Sequence, residues 1–154
     1  MGSHGCYEKY PVEQFERRFS TSLHAACWAA SDGYIMSSYN KAKGTRWESD
    51  IEEYINQSGL RARRLPRTGA RDIGDVAVEL GKTVLVIEAK NRKAADMAQW
   101  LREAHQEAGN YEDKYNVTTV PCVITKTRGK GAFDGRVTMT LEDFLCLLKW
   151  NGLA

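Results

Sequence analysis

The feature that most constrains this chain is a pair of short runs rich in Val and Ile, Ile73 to Leu80 and Thr83 to Ala89, separated only by Gly81-Lys82. Strand side chains alternate between two faces, and a two-residue link containing glycine suits the tight turns that join antiparallel neighbours. The spacing therefore predicts a β-hairpin. Within it Val76, Val78, Leu80, Leu85, Ile87 and Ala89 fall on one face, apolar without exception. That face fixes the register, because a one-residue slip would turn the whole set towards solvent. With Leu80 opposite Thr83, counting outward sets Asp75 opposite Glu88, and Lys90, two residues on, shares their face.

Directly opposed side chains have β-carbons about 4.5 to 5.5 Å apart, where two carboxylates repel unless something positive lies between them. A divalent cation meets that requirement. Hard oxygen ligands favour magnesium or manganese over zinc, and magnesium normally keeps waters that can be polarised for attack. Phosphodiester hydrolysis fits such a group, with Asp75 and Glu88 holding the ion and Lys90 orienting the water or neutralising developing charge. The same residues also suit a solvated face of an edge strand, with Asp75 capping a turn.

Around the hairpin, residues 12 to 30 place Val12, Phe15, Phe19, Leu23, Ala26, Cys27 and Ala30 at helical spacing. A polar stretch, Ser37 to Gly44, separates this helix from a second one that carries Trp47, Ile51, Tyr54 and Ile55 and ends near Gly59. Ala94 to Ala108 predicts a third helix, with Gly109 placed to end it. Val120 to Thr125 and Val137 to Thr140 read as strands around a Gly-rich basic loop, and Thr140 with Asp143 resembles a capping signal for a helix over Leu141 to Trp150. The expected class is α/β, a mixed β-sheet with a central hairpin flanked by helices. Residues 1–40 are expected to form an N-terminal helical extension, its first four residues having the look of a cloning remnant, and residues 41–154 the main domain.

A chain of 154 residues with 42% hydrophobic content can bury one sizeable core. The formal net charge of +2 is too small to announce a nucleic-acid partner, so such a partner must be met by local clusters. Arg61, Arg63, Arg64, Arg67 and Arg71 form one cluster without an acid among them, and Lys126, Arg128, Lys130 and Arg136 form another, both in expected loops. No apolar run is long enough to span a bilayer, and the four cysteines are scattered without a paired motif. These features lead to the expectation of a cytoplasmic protein with reduced thiols and no membrane partner.

Gly74-Asp75, twelve intervening residues, then Glu88-Ala89-Lys90 resembles the PD-(D/E)XK nuclease signature, with Gly74 standing where that signature has proline. Gly44-Thr45-Arg46-Trp47-Glu48 and Arg67-Thr68-Gly69 narrow the likeness, over about residues 43 to 150, to the archaeal-type Holliday junction resolvases and their phage-borne relatives. The resemblance implies a restriction-endonuclease-like fold and an endonuclease that uses Mg2+ or Mn2+ to cut branched double-stranded DNA as a homodimer. It implies that Glu48 completes the metal site of Asp75 and Glu88, and that Thr68 lies near the scissile phosphate. Arg63, Arg64, Arg67, Arg71, Lys93, Lys126, Arg128 and Lys130 become the expected DNA contacts. Thr45 and Glu48 equally form a Thr-x-x-Glu capping box, in which Glu48 would satisfy backbone donors at a helix start. Two rival readings are another repair or restriction-type nuclease of the same superfamily and a noncatalytic DNA-binding module of the same fold.

Overall fold

A computed structural model of the chain describes residues 32–67, 69, 71–92 and 96–153. The described elements are α1 (Asp32–Gln57), β1 (Arg61–Arg64), β2 (Val76–Leu80), β3 (Thr83–Lys90), α2 (Met97–Tyr115), β4 (Thr118–Thr125), a 3-10 turn (Ala132–Asp134), β5 (Arg136–Thr138) and α3 (Leu141–Trp150). The strands form one sheet in the order β1-β2-β3-β4-β5. All neighbours are antiparallel except β3 and β4, which run parallel and are joined through α2. This is the expected mixed α/β architecture, with the β2–β3 hairpin inside the sheet and helices packed on it. The helix expected over residues 12 to 30 lies outside the described residues.

The hairpin register is the one the apolar face demands. Leu80 pairs with Thr83, Val78 with Leu85 and Val76 with Ile87. On one face Val76, Val78 and Ile87 pack with Trp47 and Ile51 of α1 and with Cys122 and Ile124 of β4. On the other, Ala77 and Val86 pack with Leu65, Ile73, Ala108 and Tyr111, while Val123 meets Trp100 and Ala104 of α2. The alternation of strand side chains thus assigns α1 and α2 to opposite faces of the sheet. Trp47, fully buried, ties α1 to the sheet by donating its indole N–H to the Ile124 carbonyl at 3.3 Å.

Three expectations need correction. Ser37 to Gly44, read as a polar separator, is helical and continuous with the rest of α1. Solvent-facing turns need no apolar stripe, and Lys41, Ala42 and Lys43 are good helix formers. Gly109 does not end α2, because one mid-helix glycine costs only about 1 kcal/mol relative to alanine and the buried stripe continues to Tyr111. The helix stops instead at Asn116, in the left-handed region at φ 52, whose N–H donates to the Glu112 carbonyl. Arg61–Arg64, read as loop, is an edge strand paired with β2, where charged side chains on an exposed edge discourage further strand pairing.

At the far end of the sheet Thr140 caps α3, its hydroxyl accepting from the Asp143 N–H while the Asp143 carboxylate reaches back to the Thr140 N–H, as its sequence signal predicts. Cys122 is buried, which pushes its thiol up to about 12 and leaves it inert, and Cys146 is also free. Among the described residues no helix is long and apolar enough to cross a membrane.

Candidate active site

The site is built at the open end of the hairpin. Gly74 enters β2 at φ +92, and a β-carbon there would lie 2.7 Å from Val86 Cγ1. Proline, held near φ −65° by its ring, cannot occupy that backbone. The next residue, Asp75, is fixed on three sides. Its N–H donates to the Ile87 carbonyl at 3.0 Å, its carbonyl accepts from Leu65 N–H at 2.8 Å, and its Oδ2 accepts from Ala89 N–H at 2.9 Å.

The paired ladder ends at Val76–Ile87 and the Asp75 N–H turns to the Ile87 carbonyl, so Asp75 lies just outside the strand, yet its carboxyl group still meets and hydrogen-bonds that of Glu88. Burial, followed by the repulsion of Glu88, pushes Asp75 up to about 8, against the opposing pull of the Ala89 N–H. Lys90 shares the face. Its ammonium contacts Glu88 Oε1 and donates to Glu103 Oε2 at 2.7 Å, with the Trp100 ring centroid 5.9 Å away. Burial alone would lower the Lys90 pKa, but the bonds to Glu103 and Glu88 outweigh it and hold the ammonium above the ordinary lysine value.

A further acid, Glu107, joins this group from α2. It is 9% exposed and hydrogen-bonds Glu88, while its Oε2 is buried without a partner. Burial and the nearby Glu88, Asp72 and Asp75 push it up to about 10. Sequence reading passed over this residue, although the signal is present. The buried stripe of α2 runs Trp100, Ala104, Glu107, Ala108, Tyr111, so a carboxylate occupies a position where helical spacing calls for an apolar side chain. Glu103, one turn earlier, was missed as well. A cleft of about 520 Å³ opens beside them, lined by Gly69, Arg71, Asp72, Glu103, Gln106, Glu107 and Asn110.

Glu48 is buried within α1, with 4% of its side chain exposed. Its Oε2 accepts from Arg64 Nη2 at 2.8 Å and its Oε1 from Arg67 Nη2 at 2.7 Å. The capping-box reading fails, because α1 begins at Asp32 and Thr45 lies well inside it. The Glu48 charge still reaches Asp75, adding a smaller repulsion to that of Glu88.

The remaining basic residues are disposed unequally. Arg63 donates to the Tyr111 hydroxyl at 2.5 Å and lies over the Tyr111 and Tyr115 rings. Lys126 pairs with Asp50 at 3.2 Å and lies 4.5 Å from the Trp47 ring centroid. Arg71 lies on the cleft, with its guanidinium 3.8 Å from Asp113, and Arg128 and Lys130 are exposed on the turn after β4. Thr68 and Lys93 lie outside the described residues.

The donors at the hairpin end fit a hard divalent cation. They are carboxyl oxygens throughout, burial first and mutual repulsion second keep protons on Asp75 and Glu107 to high pH, and one buried oxygen lacks any partner. Among the described residues no group of three His, Cys, Asp or Glu stands at ready metal-ligand spacing, and the positive charge next to Glu88 is supplied by Lys90.

Fold and site together define a mixed α/β protein whose sheet carries an Asp–Glu–Lys group at the open end of its central hairpin. No family model matches the chain, and no curated protein matches it. Among solved structures it is similar to Hjc of Archaeoglobus fulgidus, a Holliday junction resolvase from an archaeal hyperthermophile. The identity is 24%, over 62% of this chain and 70% of that one, with a TM-score of 0.39.

Proposed function

We propose that this protein is a divalent-metal-dependent endodeoxyribonuclease that resolves four-way DNA junctions by phosphodiester hydrolysis, with Mg2+ or Mn2+ as its ion. The observation that carries the reading is the meeting of Asp75, Glu88 and Lys90 on one face of a rigid hairpin, beside further buried carboxyl groups. Asp75, immobilised by the Ala89 N–H, and Glu88 hold the ion. When bound, the ion supplies Lewis-acid activation of the phosphodiester and of the attacking water.

Lys90 keeps its proton, and Glu88 and Glu103 aim its ammonium at the position where negative charge develops on the phosphate. Glu48 acts through its two arginines, fixing Arg64 and Arg67 beside Asp75 to receive phosphates of the cut strand. Arg71 on the cleft and the exposed Arg128 and Lys130 are offered to further phosphates of the duplex, and Thr68, next in sequence to Arg67, and Lys93 keep their expected roles towards the DNA. Arg63 and Lys126, each engaged with neighbouring side chains, are two further candidates for contact with the DNA backbone. Paired cuts on symmetry-related strands require two such sites related by a two-fold axis, and hence a homodimer.

The test offers labelled four-way junction, linear duplex and single strand to the protein with magnesium or with chelator, beside Asp75→Asn. Symmetric nicks in the junction, abolished by chelator and reduced by on the order of a hundredfold or more in the variant, support the reading. Equal cutting of linear duplex points to a general nuclease of the same fold, and binding without any cleavage points to a noncatalytic module.

A further inference from the structure

We propose that Glu107 of α2 is a ligand of this cation centre, completing it in the position that the resemblance gives to Glu48. The inference rests on the cation proposed above and concerns which acid finishes its coordination.

Three observations carry it. First, Asp75, Glu88 and Lys90 lie on the sheet face covered by α2, which bears Glu107, whereas Glu48 belongs to α1 on the opposite face. Second, the two acids differ in what their oxygens already do. Both oxygens of Glu48 are taken by charge-assisted bonds to Arg64 and Arg67. Glu107 reaches Glu88 directly, and its Oε2 is buried with no partner. A buried oxygen left without a bond is unfavourable unless a ligand completes it, and here the adjoining groups are themselves oxygen donors.

Third, Glu107 reaches the backbone that leads into Asp75: its Oε2 lies 3.9 Å, an ordinary contact distance, from the place a β-carbon of residue 74 would take. The cleft that Glu107 lines gives an ion an approach from solvent on this side.

The experiment measures Mn2+ binding to the DNA-free full chain by calorimetry and by electron paramagnetic resonance of free Mn2+, in wild type, Glu107→Gln, Glu107→Asp and Glu48→Gln. Glu107→Gln is expected to weaken binding by about tenfold or more and to reduce the rise in melting temperature that the same Mn2+ concentration gives the wild type. Glu107→Asp, which keeps the charge but shortens the reach, is expected to fall between them, with a metal-free melting temperature close to that of the wild type. Glu48→Gln is expected to stay within about twofold of wild type. Wild-type affinity in both Glu107 variants, or an equal loss in Glu48→Gln, overturns the inference while leaving the cation reading intact. A wild type that takes up no Mn2+ overturns both.

Discussion

Asp75 and Glu107 hold their protons to about 8 and about 10 because each is buried and each faces Glu88. In the unfolded chain ordinary carboxyl groups release theirs near pH 4. A folded-state pKa raised above the unfolded one contributes stability that is full below pH of about 4 and is lost as pH climbs through the folded values. The metal-free protein should therefore become easier to unfold from about pH 5 to pH 8, by up to about 1.4 kcal/mol per pH unit for each such group. Thermal unfolding in chelator across that range checks this, and Glu107→Gln should flatten part of the slope; a level wild-type profile would contradict the account. Gly74 makes a separate demand. Alanine there would carry strained φ and press its methyl into Val86, so Gly74→Ala should lower stability by about 2 to 4 kcal/mol in denaturant titrations.

Among the elements, the Thr140–Asp143 box sets where α3 begins, and Thr140→Ala should cost about 1 kcal/mol, read as a shift of the denaturation midpoint with unchanged slope. That box and the β2–β3 hairpin were legible in the sequence for the same reason. Each is specified by residues a few positions apart, and the apolar face Val76, Val78, Ile87 allows one register only. The shared face of Glu88 and Lys90 followed from that register, whereas Asp75 lies just beyond the paired residues. What escaped notice depends on partners distant in sequence. β1 exists because four residues between α1 and the 65–75 segment find an open edge of β2, which no local propensity in Arg-Ala-Arg-Arg announces. Glu48 looked like a cap because Thr45 precedes it at capping distance, and only a helix starting at Asp32 removes that role. Glu107 was hidden differently, since only the packing of α2 on the sheet buries it and brings it to Glu88.

At the scale of the whole molecule, large apolar side chains remain exposed at one end of the sheet: Val137 on β5 and Leu141, Phe144 and Leu145 on α3, the last three at i, i+3 and i+4. The proposed homodimer would cover such a face. Phe144→Asp should shift the protein towards monomer in sedimentation velocity and remove paired junction nicks while single nicks persist; an unchanged dimer would place the interface elsewhere. The turn Gly81-Lys82 closes the hairpin at the end opposite its acids, on the order of 20 Å from Asp75 at the rise of an extended strand, and a side chain added at Gly81 would meet no atom within 4 Å. A fluorophore or short epitope grafted at Lys82 would ride on the same rigid ribbon as the carboxylates without touching them, offering a vantage point from which to watch DNA arrive.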